Sequence, residues 1–199
     1  MKAGIFTILL LVLAPLTGLA QAADESVAAL VTRLGGTMIG KGTPGSPIVT
    51  IDLHGSAVTD DDLERIGSVS SLSALDLRLT GVSDAGIAHL GALRDLRHLN
   101  LFRTQMTDAG LASLAGLQRL ETLLIGGTAI TNAATPLLAQ LPALRKVSLF
   151  DTRIDDDALP PLAAIGGLRV LLLGRTQVSD AAKLELQAVL PQLVFSEDT

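Results

Sequence analysis

The sequence predicts an α/β solenoid: a short horseshoe with a parallel β-sheet on its concave face and short α or 3₁₀ helices on its convex face. Three observations predict it. Leucines stand at 72, 96, 120, 144 and 168, a strict spacing of 24. Three residues after each come Leu75, Leu99, Leu123, Val147 and Leu171, and two further on Leu77, Leu101, Ile125, Leu149 and Leu173. Each unit then carries a threonine (Thr80, Thr104, Thr128, Thr152, Thr176) and an apolar residue (Val82, Met106, Ile130, Ile154, Val178). Self-similarity at such a period marks a stack whose units cover one another's apolar faces.

Each element follows from the chain in order. Residues 1–22 read as a signal peptide: Lys2, an apolar run from Ile5 to Leu13, then Ala20-Gln21-Ala22 before acidic Asp24-Glu25, with cleavage after Ala22. The run is short for a membrane span and is broken by Pro15 and Gly18. Residues 23–47 form an expected N-terminal cap. Glu25 to Leu34 is patterned as an amphipathic helix that Gly35-Gly36 ends; a short strand over Thr37 to Ile39 and a turn at Gly42, Pro44, Gly45 and Pro47 follow. Such a cap covers the open core end of a solenoid. Six repeats of 24 residues are expected over 48–191, the first a variant copy with Ile48, Ile51, Leu53, Ser56, Val58, Thr59 and Asp60.

Within a copy, residues four and six alternate like a strand and point inward. The Ser56 and Thr80 column lies where the chain turns, where a buried hydroxyl satisfies backbone groups of its own and adjacent coils. Thr59-Asp60, Ser83-Asp84, Thr107-Asp108 and Ser179-Asp180 read as helix N-caps with acid in the first turn. Leu111, Leu114 and Leu117, spaced by three, predict tight turns in place of a long α-helix. In copy four, Thr135-Pro136 predicts a helix delayed to a new cap and proline start. In copy five, Pro160-Pro161 predicts little helix and an outer face that is 3₁₀ or extended. Residues 192–199 read as a closing half-copy, with Leu193 to Phe195, and a frayed tail.

The frame L-x-x-L-x-L-x-x-T-x-V resembles the leucine-rich repeat, and the whole mature chain resembles bacterial secreted leucine-rich-repeat proteins. Leu34-Gly35-Gly36 and Thr107-Asp108-Ala109-Gly110-Leu111 carry that likeness. The repeats are also similar to those of F-box adaptors, though nothing here resembles an F-box. The resemblance implies a horseshoe fold and binding as the usual activity, with no shared catalytic site.

Composition narrows the function. The 199 residues include no cysteine, which excludes disulfides, thiolate metal sites, thiol nucleophiles and a thiol-linked lipid anchor. The formal charge is −5, and removing the leader takes away one basic residue and no acidic ones. With no basic cluster, nucleic acid and anionic lipid are poor partners. We expect a periplasmic or secreted monomer with no membrane span after signal cleavage, no cofactor and no metal site.

Outward strand positions should form columns across the concave face, with copies about 4.8 Å apart. The third-position column is Thr50, Ala74, His98, Thr122, Lys146 and Val170; the fifth is Asp52, Asp76, Asn100, Leu124, Ser148 and Leu172. The seventh is His54, Arg78, Phe102, Gly126, Phe150 and Gly174; the eighth is Gly55, Leu79, Arg103, Gly127, Asp151 and Arg175. The mature chain has three phenylalanines and no Trp or Tyr, yet Phe102 and Phe150 share a column. They should stand two copies apart, about 10 Å, over a notch at Gly126-Gly127. Phe102, Arg103, Phe150, Arg78 and Arg175, with Leu124 and Leu172 as apolar floor, form the candidate site for a protein or peptide. The bland alternative has the rings folded over neighbouring strands.

Two other readings concern acids. Asp52 and Asp76, about 5 Å apart as column neighbours, have the separation retaining glycosidases use, which makes a hydrolase the rival function. With Asn100 they could instead hold a divalent cation. No Ser-His-Asp set assembles, since His54 and His98 are two copies apart and His89 lies on an outer helix. The runs Asp60-Asp61-Asp62 and Asp155-Asp156-Asp157 read as helix caps, with calcium at copy edges as the other option. A structural spacer in envelope assembly is a third possible role.

Overall fold

The alternation of inward aliphatics at positions four and six sets one short strand per copy. In the structure, a computed structural model that describes residues 27–40 and 47–196, those strands stack in chain order. Helix α1 (27–33) leads into β1 (Thr37–Gly40). Then come β2 (Ile48–Asp52), β3 (Ala74–Asp76), β4 (His98–Asn100), β5 (Thr122–Leu124), β6 (Lys146–Ser148), β7 (Val170–Leu172) and β8 (Val194–Ser196). The pairs from β2 to β8 are parallel and in register at 24 residues: Thr50 faces Ala74, which faces His98, and so on to Val170 and Val194. β1 alone runs antiparallel, Met38 facing Ile51. The predicted leader, residues 1–22, and the turn at 41–46 lie outside the described residues.

Behind the strands run α2 (Asp60–Ile66), α3 (Asp84–Ala88), α4 (Asp108–Ser113), α5 (Thr135–Leu138), α6 (Leu159–Leu162) and α7 (Asp180–Val189). A 3₁₀ turn, His89–Ala92, extends α3, and others precede α5 (Asn132–Ala134) and α6 (Asp156–Ala158). One core fills the space between strands and helices. The leucines at 72, 96, 120, 144 and 168 are fully buried in it, as are Leu77, Leu101, Ile125 and Leu149.

Two outer elements differ from the sequence-based expectation. In copy four the cap stays at Thr131, whose hydroxyl accepts the Ala133 N–H. The delayed helix with its proline start is present as α5, but Thr135 is its first residue and not its cap; the Thr135 hydroxyl donates to the Asn132 carbonyl at 3.0 Å. In copy five the expected 3₁₀ turn is present at Asp156–Ala158, but a four-residue α-helix follows it, because Pro160-Pro161 occupy the first turn, where an N–H has no intrahelical acceptor to lose.

The threonine column is buried from Thr80 to Thr152 and half-buried at Thr176, but each hydroxyl serves only its own coil. Thr80, Thr104, Thr128, Thr152 and Thr176 each donate to the carbonyl three residues back, at 2.5–2.9 Å. Ser56, the variant first member, has a buried hydroxyl with no partner.

Candidate functional site

A bend at the end of each strand shapes the concave face. Residue eight of every copy has a left-handed backbone: Gly55, Leu79, Arg103, Gly127, Asp151 and Arg175, with φ between 54° and 66°. For a residue with a Cβ this costs on the order of 1 kcal/mol. In the first five copies the neighbouring coil holds it there. Leu79 N–H donates to the Phe102 carbonyl at 2.8 Å, Arg103 to Gly126 at 2.9 Å and Asp151 to Gly174 at 2.8 Å. The inter-coil ladder therefore runs past the strands and presents residues seven and eight on the concave rim.

Phe102 and Phe150 meet there. Their ring centroids are 6.5 Å apart at an interplanar angle of 45°, closer than the two-copy spacing of about 10 Å. The reason is Gly126. A Cβ on it would lie 3.2 Å from Phe102 Cδ2 and 2.8 Å from the Phe150 carbonyl oxygen, so the Phe102 ring leans over the missing side chain toward Phe150 and covers the expected notch. Arg103 packs its Cγ above Gly127 and sets its guanidinium 5.2 Å from the Phe102 ring centre. Arg175 does the same to Phe150 at 5.8 Å. Both distances lie within cation–π range. The rings are half-buried and Arg78, Arg103 and Arg175 are exposed.

Beside the rings is a depression of about 210 Å³ lined by Arg78, Leu79, Phe102, Leu124, Lys146 and Leu172, among others. Leu124 is half-buried. Leu172, expected as exposed floor, is only 2% exposed; the following strand β8 pairs beside it, and it can offer a ligand little surface.

The acidic half of the face is committed to the fold. Asp52 Oδ1 accepts the His54 N–H at 3.0 Å and meets its ring Nδ1 at 2.8 Å. Asp76 accepts the Arg78 N–H at 3.0 Å and the Asn100 amide at 3.2 Å. Asn100 in turn accepts the Phe102 N–H at 3.1 Å. These are Asx turns that cap the strand ends. Partial burial opposes ionisation of Asp52, but the His54 bonds and the Arg78 charge outweigh it and hold its carboxyl below the ordinary value. A second depression, about 280 Å³, lies over Asp52, Asp76, His98 and Asn100. Among the described residues no group of three or more acidic or histidine side chains is arranged to hold a metal.

The convex face carries an unforeseen bond pattern. In four copies the carboxylate that opens the outer helical segment reaches the next copy's cap through two bonds: Asp60 to Ser83 N–H and hydroxyl, Asp84 to Thr107, Asp108 to Thr131, Asp156 to Ser179. Copy four reverses the chemistry. Asn132 accepts the Asp155 N–H at 3.1 Å and donates its amide to the Asp155 carboxylate at 2.6 Å. Gly86 and Gly110 make room, because a Cβ there would lie 2.4 and 2.3 Å from the arriving Asp60 and Asp84 oxygens. The signal was present as an Asp followed 23 residues later by Ser or Thr. Asp60 and Asp156 are thus cross-copy ties, Asp155 is a cap, and Asp62 closes a capping box with Thr59 while pairing with Arg33.

Comparison with known proteins agrees with this geometry. A family profile described as "Leucine Rich repeat" matches residues 92–115. This is a leucine-rich-repeat solenoid. Its coil is similar to the crystal structure of internalin C2 from Listeria monocytogenes, with a TM-score of 0.57, 22% identity, and 90% of this chain aligned to 81% of that one. An internalin F structure from the same organism gives 0.56 and 18% over 88% of this chain and 54% of that one. A Leptospira interrogans leucine-rich-repeat protein gives 0.50 and 18% over 66% and 38%. The solenoid thus spans about half of one of these neighbours and less of another. No curated protein matches the sequence.

Proposed function

We propose that this solenoid is an exported recognition module that holds a protein or peptide against its concave face. The observation that carries the reading is the ring pair. Two of the three phenylalanines after residue 22 come together on that face, each under a guanidinium. Rigid aromatics beside arginine are the composition of energetic hot spots. Phe102, Phe150, Arg103, Arg175 and Arg78 make the contact, Leu124 adds half-buried apolar surface, and Leu172 closes the bottom of the depression. Leucine-rich-repeat solenoids commonly recognise other proteins, which supports the same reading.

The test compares capture from an envelope extract by three immobilised forms: wild type, Phe102→Ala with Phe150→Ala, and the convex-face control Leu184→Ala. Species retained by wild type and control but lost from the double variant, by at least about 2 kcal/mol of affinity, support the reading. Equal retention by all three rejects it. Export rests on the order of residues 1–22, and no described helix is long and apolar enough to cross a membrane. N-terminal sequencing of the protein from cell fractions tests it: an N-terminus at Ala23 outside the cytoplasm is expected, and an intact Met1 inside refutes it.

A further inference from the structure

Resting on the concave-face reading, we infer that the occupant is an extended acidic segment of a partner protein, with carboxylates about four residues apart and an apolar side chain midway. The argument is charge and spacing. The chain is acidic overall, formally −5, but two acids of the inner face are occupied, Asp52 by His54 and Asp76 by Arg78 and Asn100, which leaves Asp151 as the exposed acid of the rim. The cations at the ring pair are not occupied. Arg103 and Arg175 face only the rings, and among the described residues neither they nor Lys146 has a carboxylate within ion-pair distance. A guanidinium already stacked on a ring keeps its N–H edge free for a carboxylate.

Spacing then restricts the ligand. Arg103 and Arg175 are equivalent positions three copies apart, so their Cα atoms stand on the order of 14 Å apart at about 4.8 Å per copy, and both side chains lean inward onto the ring pair. An extended segment rises about 3.3 Å per residue and points alternate side chains to one face, so residues i, i+2 and i+4 face the solenoid and i to i+4 covers about 13 Å. The residue at i+2 falls over the rings and beside exposed Asp151, where a carboxylate is repelled and an apolar group is welcome. The face therefore selects acid–x–apolar–x–acid over a uniform acidic tract.

The experiment uses immobilised synthetic peptides on a Gly-Ser tether and the mature protein in solution. The peptides carry Glu-Ala-Leu-Ala-Glu, Lys-Ala-Leu-Ala-Lys, Glu-Ala-Glu-Ala-Glu, or Glu-Leu-Glu. We expect the first to bind at least tenfold more tightly than each of the others and to weaken in 0.5 M salt. Arg103→Glu with Arg175→Glu should reverse the preference toward the lysine peptide. Arg103→Gln with Arg175→Gln, which keeps the methylenes packed on Gly127, should erase it without altering the melting transition. Equal binding of the Glu and Lys peptides, persistence of the acidic preference in the reversed variant, or no binding to any peptide overturns the inference. If Phe102→Ala with Phe150→Ala still loses captured partner in those cases, the face reading survives and only the acidic specificity falls. If that variant also binds everything as wild type does, the face itself is wrong.

Discussion

Substituting Asn132 by Asp inserts a second carboxylate at the one cross-copy tie whose cap is already acidic. In the native chain the Asn132 amide donates to Asp155 at 2.6 Å and its carbonyl oxygen accepts the Asp155 N–H at 3.1 Å. Asn132→Asp keeps the acceptor and loses the donor. A hydrogen bond to a charged group contributes about 1.5–3 kcal/mol, and two like charges about 3 Å apart repel by about 1 kcal/mol even at the dielectric of water. The expected loss at pH 7 is therefore about 3 kcal/mol, read as a lower urea midpoint by circular dichroism. One proton taken up by the new pair restores a donor. The folded pair binds that proton more tightly than the unfolded chain does, so the variant regains stability relative to wild type as pH falls from 7 toward 4. Asp155→Thr in the same background recreates the Asp108–Thr131 arrangement and should return at least half of the loss. A single variant within about 0.5 kcal/mol of wild type at pH 7, the range of an ordinary surface change, or a double variant no better than the single, would refute the reasoning.

The same geometry sets further outcomes. Gly110→Ala places a Cβ 2.3 Å from Asp84 Oδ1 and should cost about 2–4 kcal/mol by expelling a bonded carboxylate; Gly81→Ala, whose nearest neighbour is 3.9 Å away, serves as the calorimetric control and should be near neutral. Thr104→Val removes the buried 2.9 Å bond to the Leu101 carbonyl and should lower stability by about 1–3 kcal/mol, whereas a melting temperature at or above wild type would show the hydroxyl to be incidental. Asp52 has a folded-state carboxyl below its ordinary value, so its contribution is present above the unfolded pKa and fades as pH falls through the folded one. Asp52→Ala should flatten the acid limb of a stability-against-pH curve below about pH 4, and an unchanged limb would show that its bonds do not matter.

The coil was legible because its determinants are periodic. Leucines at fixed phase admit one register, and the strands pair at the same 24-residue offset. The aromatic column was legible for the same reason, but the ring separation was not. Phase places a Cα, whereas the approach of Phe102 to Phe150 depends on the void above Gly126. Leu172 was misjudged on similar grounds, because its phase is outward while its burial depends on what packs beside it. At Thr135-Pro136 the delayed helix and its proline start were legible, but the cap was not, because proline marks a first helical turn without saying that a 3₁₀ turn capped by Thr131 precedes it. Column spacing offered Asp52 and Asp76 as a rival catalytic pair, but it could not show that each accepts the backbone N–H two residues on.

The left-handed residue that ends each strand separates path from message. Leucine, arginine, aspartate and glycine all adopt that twist, and in the first five copies the next coil's carbonyl grips the amide whatever the side chain. The bend is thereby dictated from outside the residue that makes it. Chemical identity at these sites can be rewritten, copy by copy, at the cost of a modest local strain and with no change in the curvature of the whole. The inner rim behaves as movable type set in a rigid frame.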